Sequence, residues 1–414
     1  MVKSKLHIKL LFLCLLVTVV LYVSGCGEKA NPLPSPVQTA VGNLNESVTK
    51  TSLMDSAGLQ NLSESVWKDV PVLTLDSSQK LPITISDDGD LLWIEWTKED
   101  EEKGTPNDTL VLYNIKTGSQ VAIASIKYPA QIVKALINED WIVWMQYLYG
   151  DGYGDGSYAI YSYNRKTNDT KLCFKADSQS KDSASLSFKA PTPSLKGNKL
   201  LLDILSSVSG KGEISTVCYE YDLVSGRKRE IAKQIICPEF EDDYIIGIAQ
   251  DEDNIEKGYS IICKIDNSVI TPLMEKGIYI YEYSTDGHGS ALYTAQTIGN
   301  LGIAKEKQIR DLYLLENGKS ILLKAQNPDD VNSGCSWPSI STRVAMWRND
   351  NCPYAYDRLL QKAIKLSDDK QRTSNFFTTD SYIVWTYRSE QNIEADINNT
   401  DLINVISTKD LPLR

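Results

Sequence analysis

The chain has 414 residues, 43 Lys and Arg against 54 Asp and Glu, a formal net charge of −11 and two His. That length, with 42% hydrophobic residues, allows two or three average domains or one large repeat domain with a filled core. The acidic balance argues against a nucleic-acid partner, because phosphate binding needs a basic face. One of them, His7, falls in the N-terminal leader read below, which leaves His288 alone and excludes a multi-His metal site.

Lys3, Lys5 and Lys9 precede an apolar run from Leu10 to Val23. A basic start followed by a short apolar stretch has the form of a secretory signal peptide, and the run is shorter than the ~20 residues a spanning helix needs. It ends in Val23-Ser24-Gly25-Cys26, which resembles a bacterial lipobox. The resemblance implies that residues 1–25 are a leader and that the Cys26 thiol takes a diacylglycerol. Buried acyl CH₂ groups contribute ~0.8 kcal/mol each, and two or more chains hold stably. The expected product is a lipid-anchored, extracytoplasmic envelope protein. Residues 26–66 carry Pro32, Pro34 and Pro36 and then many Ser, Thr, Asn and Gly, and read as a disordered linker spanning about 35 Å.

From residue 67 to 414 the apolar residues alternate or form short runs rich in Trp, Tyr, Val, Ile and Leu, which predicts strands. A strongly apolar second strand recurs as Leu91–Trp96, Trp141–Tyr147, Leu200–Leu205, Tyr244–Ile248, Ala291–Ala295, Val344–Trp347 and Tyr382–Tyr387. A third strand follows each, from Thr109–Asn114 to Leu402–Ile406. A mean period of about 48 residues with four strands per unit predicts an all-β fold, a β-propeller. The count is seven blades. Six or eight are the alternatives, since Lys175–Ser187 and Glu275–Glu282 can each be read two ways. The last copy lacks a fourth strand, and the orphan Val70–Leu75 is expected to supply it and close the ring.

The segments SDDGDLLWIEW (86–96), STDGHGSALYTA (284–295) and TLVLYNIKTG (109–118) resemble TolB-like propeller repeats. That resemblance spans about residues 70–406 and implies the fold together with a binding or scaffolding tendency. It carries no site residue across.

His288, in Asp286-Gly-His-Gly-Ser290, invites a Ser–His reading, but adjacent residues on a tight turn do not make a nucleophile–base–acid relay. A Gly-rich hairpin in blade five is the expectation. Tyr149, Asp151, Tyr153 and Asp155 alternate with Gly in the most unusual loop of the chain. Two Asp separated by Gly suit Ca²⁺, although the EF-hand spacing is absent, and a plain Gly–Asp loop is the alternative. No other cofactor is expected. Trp93, Trp96, Trp141, Trp144, Trp347 and Trp385 share the second strand and read as core. Cys335 and Cys352 fall on one face of blade six as a candidate disulfide, whereas Cys218 and Cys263 read as buried thiols.

Turns between third and fourth strands are tight, as at Lys116-Thr117-Gly118 and Ser225-Gly226, while loops between second and third strands are long. Strand alternation puts the long loops on one face, where function tends to persist. The candidate ligand face is therefore built around Tyr149, Asp151, Tyr153, Asp155, Asp251 and Asp253. Three functions fit: a tethered propeller binding an envelope protein, peptide or glycan; a carbohydrate-active enzyme using loop carboxylates; and an accessory subunit of an envelope complex.

Overall fold

Short antiparallel strands with both faces apolar cannot stand alone, and here each four-stranded sheet covers the next. The computed structural model describes residues 52–54, 58–77, 79–97, 107–148, 157–176, 191–208, 214–250, 260–274, 278–297, 310–327, 334–367, 375–387 and 402–413. All of these fall in one compact unit, Lys50–Arg414. Blade one is Lys80–Ile85, Asp90–Glu95, Asp108–Asn114 and Gln120–Ile126. Blade two is Ala130–Ile137, Trp141–Leu148, Ser157–Asn164 and Thr170–Lys175. Ser194–Lys196, Lys199–Val208, Ile214–Asp222 and Lys228–Lys233 make blade three. Blade four is Ile235–Phe240, Ile245–Gln250, Ser260–Asp266 and Val269–Pro272. Ile278–Thr285, Ala291–Thr297, Asp311–Glu316 and Lys319–Lys324 make blade five. Blade six is Ser336–Ile340, Val344–Asn349, Cys352–Asp357 and Lys362–Lys365. Phe376–Thr378, Tyr382–Tyr387 and Leu402–Ser407 complete blade seven with a strand from the other end of the chain. The count is seven.

Second strands are buried on both faces, which is why they read as unbroken apolar runs. Leu91, Leu92, Ile142, Leu200, Leu201, Ile246, Leu292, Val344 and Ile383 all have almost no exposure. Seven apolar clusters result, one in each seam between neighbouring blades, including the seam where blade seven meets blade one through Val384, Val405, Leu91 and Trp93. The tryptophans serve this core: Trp144 stacks on Tyr161 and Trp347 on Tyr354, its direct cross-strand partner. Trp96 is only half-buried.

The ends of the chain are joined as expected, and then joined again. Leu73–Asp76 pairs antiparallel with Leu402–Val405 and is the outer strand of blade seven. The structure also adds a fifth strand to blade six: Leu59–Asn61 runs parallel to Ala363–Lys365. The linker expected over 26–66 therefore ends earlier, and Met54 is already buried in the seam between blades five and six. Trp67, 1% exposed, fills the seam between blades six and seven and donates its indole N–H to the Asp357 carboxylate at 3.0 Å.

The expected Cys335–Cys352 disulfide is not formed, and both residues are buried thiols. Cys352 is the first residue of a strand rather than part of a loop, paired with Asn349. Cys335 precedes Ser336, which pairs with Arg348, so Asn349 lies between the two cysteines in the sheet. Two strand spacings come to about 10 Å, beyond the ~7 Å a disulfide spans. Cys218 and Cys263 are buried together in the seam between blades three and four.

Candidate functional site

Each innermost strand starts at the long-loop face and ends at the tight-turn face, and the two faces are built differently. At the tight-turn face, polar contacts join all seven blades. Arg165 of blade two pairs with Asp90 of blade one, and Asn138 Nδ2 donates to Gly197 O at 2.9 Å. Lys196 donates to Glu241 O at 2.6 Å, and His288 Nδ1 meets Asp242 Oδ2 at 2.7 Å. Arg358 pairs with Asp286 at 2.8 Å, Asp380 accepts from Thr342 N at 2.8 Å, and Asp87 accepts from Ser381 N at 3.2 Å. The hairpin turns beside this ring are fixed by the residue ending the third strand: Asn114, Asn164, Asp222 and Asp357 each accept two backbone N–H groups. Gly89, at φ +89°, completes the turn that carries Asp87, and an added Cβ would lie 2.9 Å from the Tyr382 hydroxyl.

His288 lies in the hairpin joining the first two strands of blade five, as the sequence suggests. Its ring faces Asp242 of blade four, and Nε2 lies 3.6 Å from Asp380 of blade seven. Ser290 is taken by Arg358, so no Ser–His pair exists. The hydrogen bond to Asp242 holds His288 above its ordinary pKa, helped by the charges of Asp242, Asp380 and Asp286 and opposed by slight burial. A raised folded-state pKa gives stability that is full below the unfolded value of about 6.5 and is lost as pH rises through the folded one. His288→Gln is therefore expected to melt below the wild type at pH 5.5 and level with it at about pH 9. The side chain is 46% exposed, so the low-pH gap is held to the ~0.2–1 kcal/mol of a screened pair. Equal melting at both pH values would remove the clasp.

A groove of about 410 Å³ opens between blades three and four, lined by Lys196, Lys199, Glu220, Arg229, Asp242 and Tyr244 among others. These charges are already matched internally: Lys199 and Arg229 with Glu220 at 3.3 and 3.1 Å, Lys196 with Asp242 at 3.6 Å.

Around the axis, β-bulges interrupt the innermost strands of blades one, two, four, five and six. A bulge breaks the ladder and re-aims side chains. Acidic groups of the preceding blade accept the backbone N–H groups along these strands. Asp108 accepts from Ile132 at 2.7 Å, Asp203 from Cys237 at 2.9 Å, Glu239 from Thr285 at 3.1 Å and Glu282 from Trp337 at 2.6 Å. Burial raises the Asp108 carboxyl to about 6 despite its N–H donor. Burial likewise raises Glu239 against Lys134 and Thr285, and Glu282 against the Trp337 N–H, Arg310 and Arg348. These axial acids act as blade-to-blade fasteners.

One group on the long-loop side stands apart. Tyr279 and Tyr281 lie in the first half of the blade five inner strand, with rings edge-on at 4.9 Å. Arg310, just before the third strand, lays its guanidinium 4.6 Å from the Tyr281 ring centre. In blade six, Arg348 lies 3.6 Å over Trp337 and donates Nε–H to Ser336 Oγ at 3.2 Å. All four elements reach this level at the long-loop end: two first strands near their starts, a third strand at its start and a second strand near its finish.

The sequence-predicted residues Cys26, Tyr149, Asp151, Tyr153, Asp155, Asp251 and Asp253 lie outside the described residues. Among the described residues no group of three or more His, Cys, Asp or Glu could hold a metal ion. The Arg–aromatic group was missed, although Tyr279-x-Tyr281-x-Tyr283 shows a period-two aromatic row. The bulge that sets Tyr281 out of register is invisible without the partner strand.

This architecture defines the chain as a seven-bladed β-propeller. The structure is similar to the β-propeller domain of the Trilobed protease from Pyrococcus furiosus, described as having an open velcro topology, at a TM-score of 0.54 and 13% identity over 79% of this chain and 95% of that one. It is also similar to the acylaminoacyl peptidase of Pyrococcus horikoshii, at a TM-score of 0.52 and 13% identity over 75% of this chain. The match covers 49% of that peptidase, about half its length. No protein-family model and no curated protein matches the chain.

Proposed function

We propose that the protein is an extracytoplasmic lipoprotein, anchored through Cys26, whose TolB-like propeller is a binding module for an envelope protein, peptide or glycan. The observation that carries this reading is the contrast between the two faces. Polar groups of the tight-turn face are spent on blade-to-blade contacts around the whole ring, whereas the long-loop end presents, at Arg310, a guanidinium stacked on Tyr281 and, among the described residues, without an acceptor. The likeness to the peptidase supports the fold alone, and propellers host binding and catalysis alike.

The test uses the full chain expressed in a bacterium with an alkyne-palmitate label and a cross-linker applied to intact envelopes. Wild type is expected to label and to form a discrete adduct, and Cys26→Ala to lose the label and keep its leader uncleaved. Replacing Gly150–Ser157 by a short turn should abolish the adduct, whereas lengthening the turn at Lys116–Ser119 should spare it. Equal labelling of wild type and Cys26→Ala would end the lipoprotein reading. An adduct lost only on altering the tight turn would move the binding face.

A further inference from the structure

We infer that the axial end of blades five and six, around Arg310, Tyr281, Arg348 and Trp337, is a binding site for a small carboxylate-bearing ligand. The inference rests on the binding-module reading and names the chemistry its ligand would present.

Five arginines among the described residues are half-buried: Arg165, Arg310, Arg343, Arg348 and Arg358. Four of them direct guanidinium N–H groups to acceptors: Arg165 to Asp90 and Asn138 O, Arg343 to Asp357 and Pro412 O, Arg348 to Ser336 Oγ, and Arg358 to Asp286 and Glu316. Among the described residues, the Arg310 guanidinium has only the face of Tyr281. A guanidinium carries five N–H donors in one plane. Stacking satisfies the face of that plane and leaves its edge, the part that matches a carboxylate bidentately.

The position is fixed rather than floppy. The Arg310 backbone N–H donates to Gln326 Oε1, Gln326 N donates to Asp311 Oδ1 at 3.0 Å, and Arg310 O accepts from Cys335 N at 3.4 Å. Arg310 is thereby held to its own blade and to the start of blade six. Glu282, which both guanidiniums act upon, is committed to the Trp337 N–H. Tyr279 and Tyr281 flank Arg310 with ring surface that suits an apolar or sugar group beside the carboxylate.

The carboxylate could come from a peptide C-terminus or from an acidic sugar, and the experiment separates them. Detergent-solubilised full-length protein is titrated by calorimetry with N-acetyl-Gly-Phe, its C-terminal amide, glucuronic acid and methyl glucuronate ester. At least one free acid is expected to bind about tenfold or more tightly than its neutral counterpart. Arg310→Lys, which keeps the charge and loses the planar fork, should weaken the acid about tenfold, and Arg310→Gln more. Arg229→Gln, at an exposed hairpin, should change nothing. Acid preference in the peptide pair assigns a chain terminus, and in the sugar pair an acidic glycan. The wild-type comparison of acid with neutral form needs no variant to fold. If neither acid binds at 10 mM, if acid and neutral forms bind alike, or if folded Arg310→Gln binds as wild type, the site is overturned. Failure here leaves the acyl-labelling and adduct results standing, and failure of those leaves this titration unchanged, because every residue of the site lies in the propeller.

Discussion

Trp67→Ala is expected to lower the free energy of unfolding by about 3–5 kcal/mol, the cost of truncating a large, fully buried side chain. Trp67 lies between blade six residues Val344, Met346, Ala355 and Ile364 and blade seven residues Phe376, Ile383, Trp385 and Ile406, so its loss leaves a void inside a seam. It also removes the indole donor from Asp357, a carboxylate with no side-chain exposure that would then keep, among the described residues, Arg343 and two hairpin N–H groups. Trp67→Phe retains much of the apolar volume and loses the N–H, and should cost about 1–2 kcal/mol. Urea unfolding followed by tryptophan fluorescence reads both. A loss under about 1 kcal/mol for Trp67→Ala would mean that the outer strand Leu73–Asp76 closes the ring without the wedge.

How much of this was legible follows from where each signal is stored. Burial on both faces is written into local composition, so the second strands from Leu91 to Trp385 could be counted, and the orphan strand near Leu75 could be matched to an incomplete last blade. Leu59–Asn61 carries no alternation and no β-branched residue, and it is a strand only because the outer edge of blade six offers free backbone groups. Trp67 reads as an ordinary aromatic until the seam around it exists. Cys335 and Cys352 both lie at the long-loop end of blade six, but the strand register that interposes Asn349 is a pairing property, which sequence spacing does not carry. The same holds for Arg310. Its neighbours Tyr281, in a strand of blade five and displaced by a bulge, and Cys335, just before the first strand of blade six, lie on either side of a seam.

Arg358 carries the second large effect. It follows the third strand of blade six and reaches back to blade five, donating to Asp286 Oδ2 at 2.8 Å, Glu316 Oε1 at 2.6 Å and Ser290 Oγ at 2.8 Å, and to Ser341 O of its own blade at 2.7 Å. The Asp286 side chain is 3% exposed, and removing one partner of so buried a pair typically costs about 3–5 kcal/mol because the other charge is stranded. Arg358→Met keeps the length of the stem and removes every one of these donors, and is expected to cost that amount at pH 7. Burial pushes the Asp286 carboxyl up, and Arg358 with the N–H groups of Ser290 and His288 outweighs it, leaving the pKa below the ordinary value. In the wild type this stability is present above the unfolded pKa of about 3.9 and is lost as pH falls through the lower folded value. In Arg358→Met burial acts on Asp286 with less opposition, its folded pKa rises, and acid then relieves the variant. The gap between the two proteins should therefore narrow steadily from pH 7 to about pH 4. Arg358→Lys restores charge without the fork that spans four acceptors, so it should recover part of the loss and keep the pH trend weaker than Met. A gap that stays constant with pH would show that the loss comes from packing around the stem, with Asp286 uninvolved.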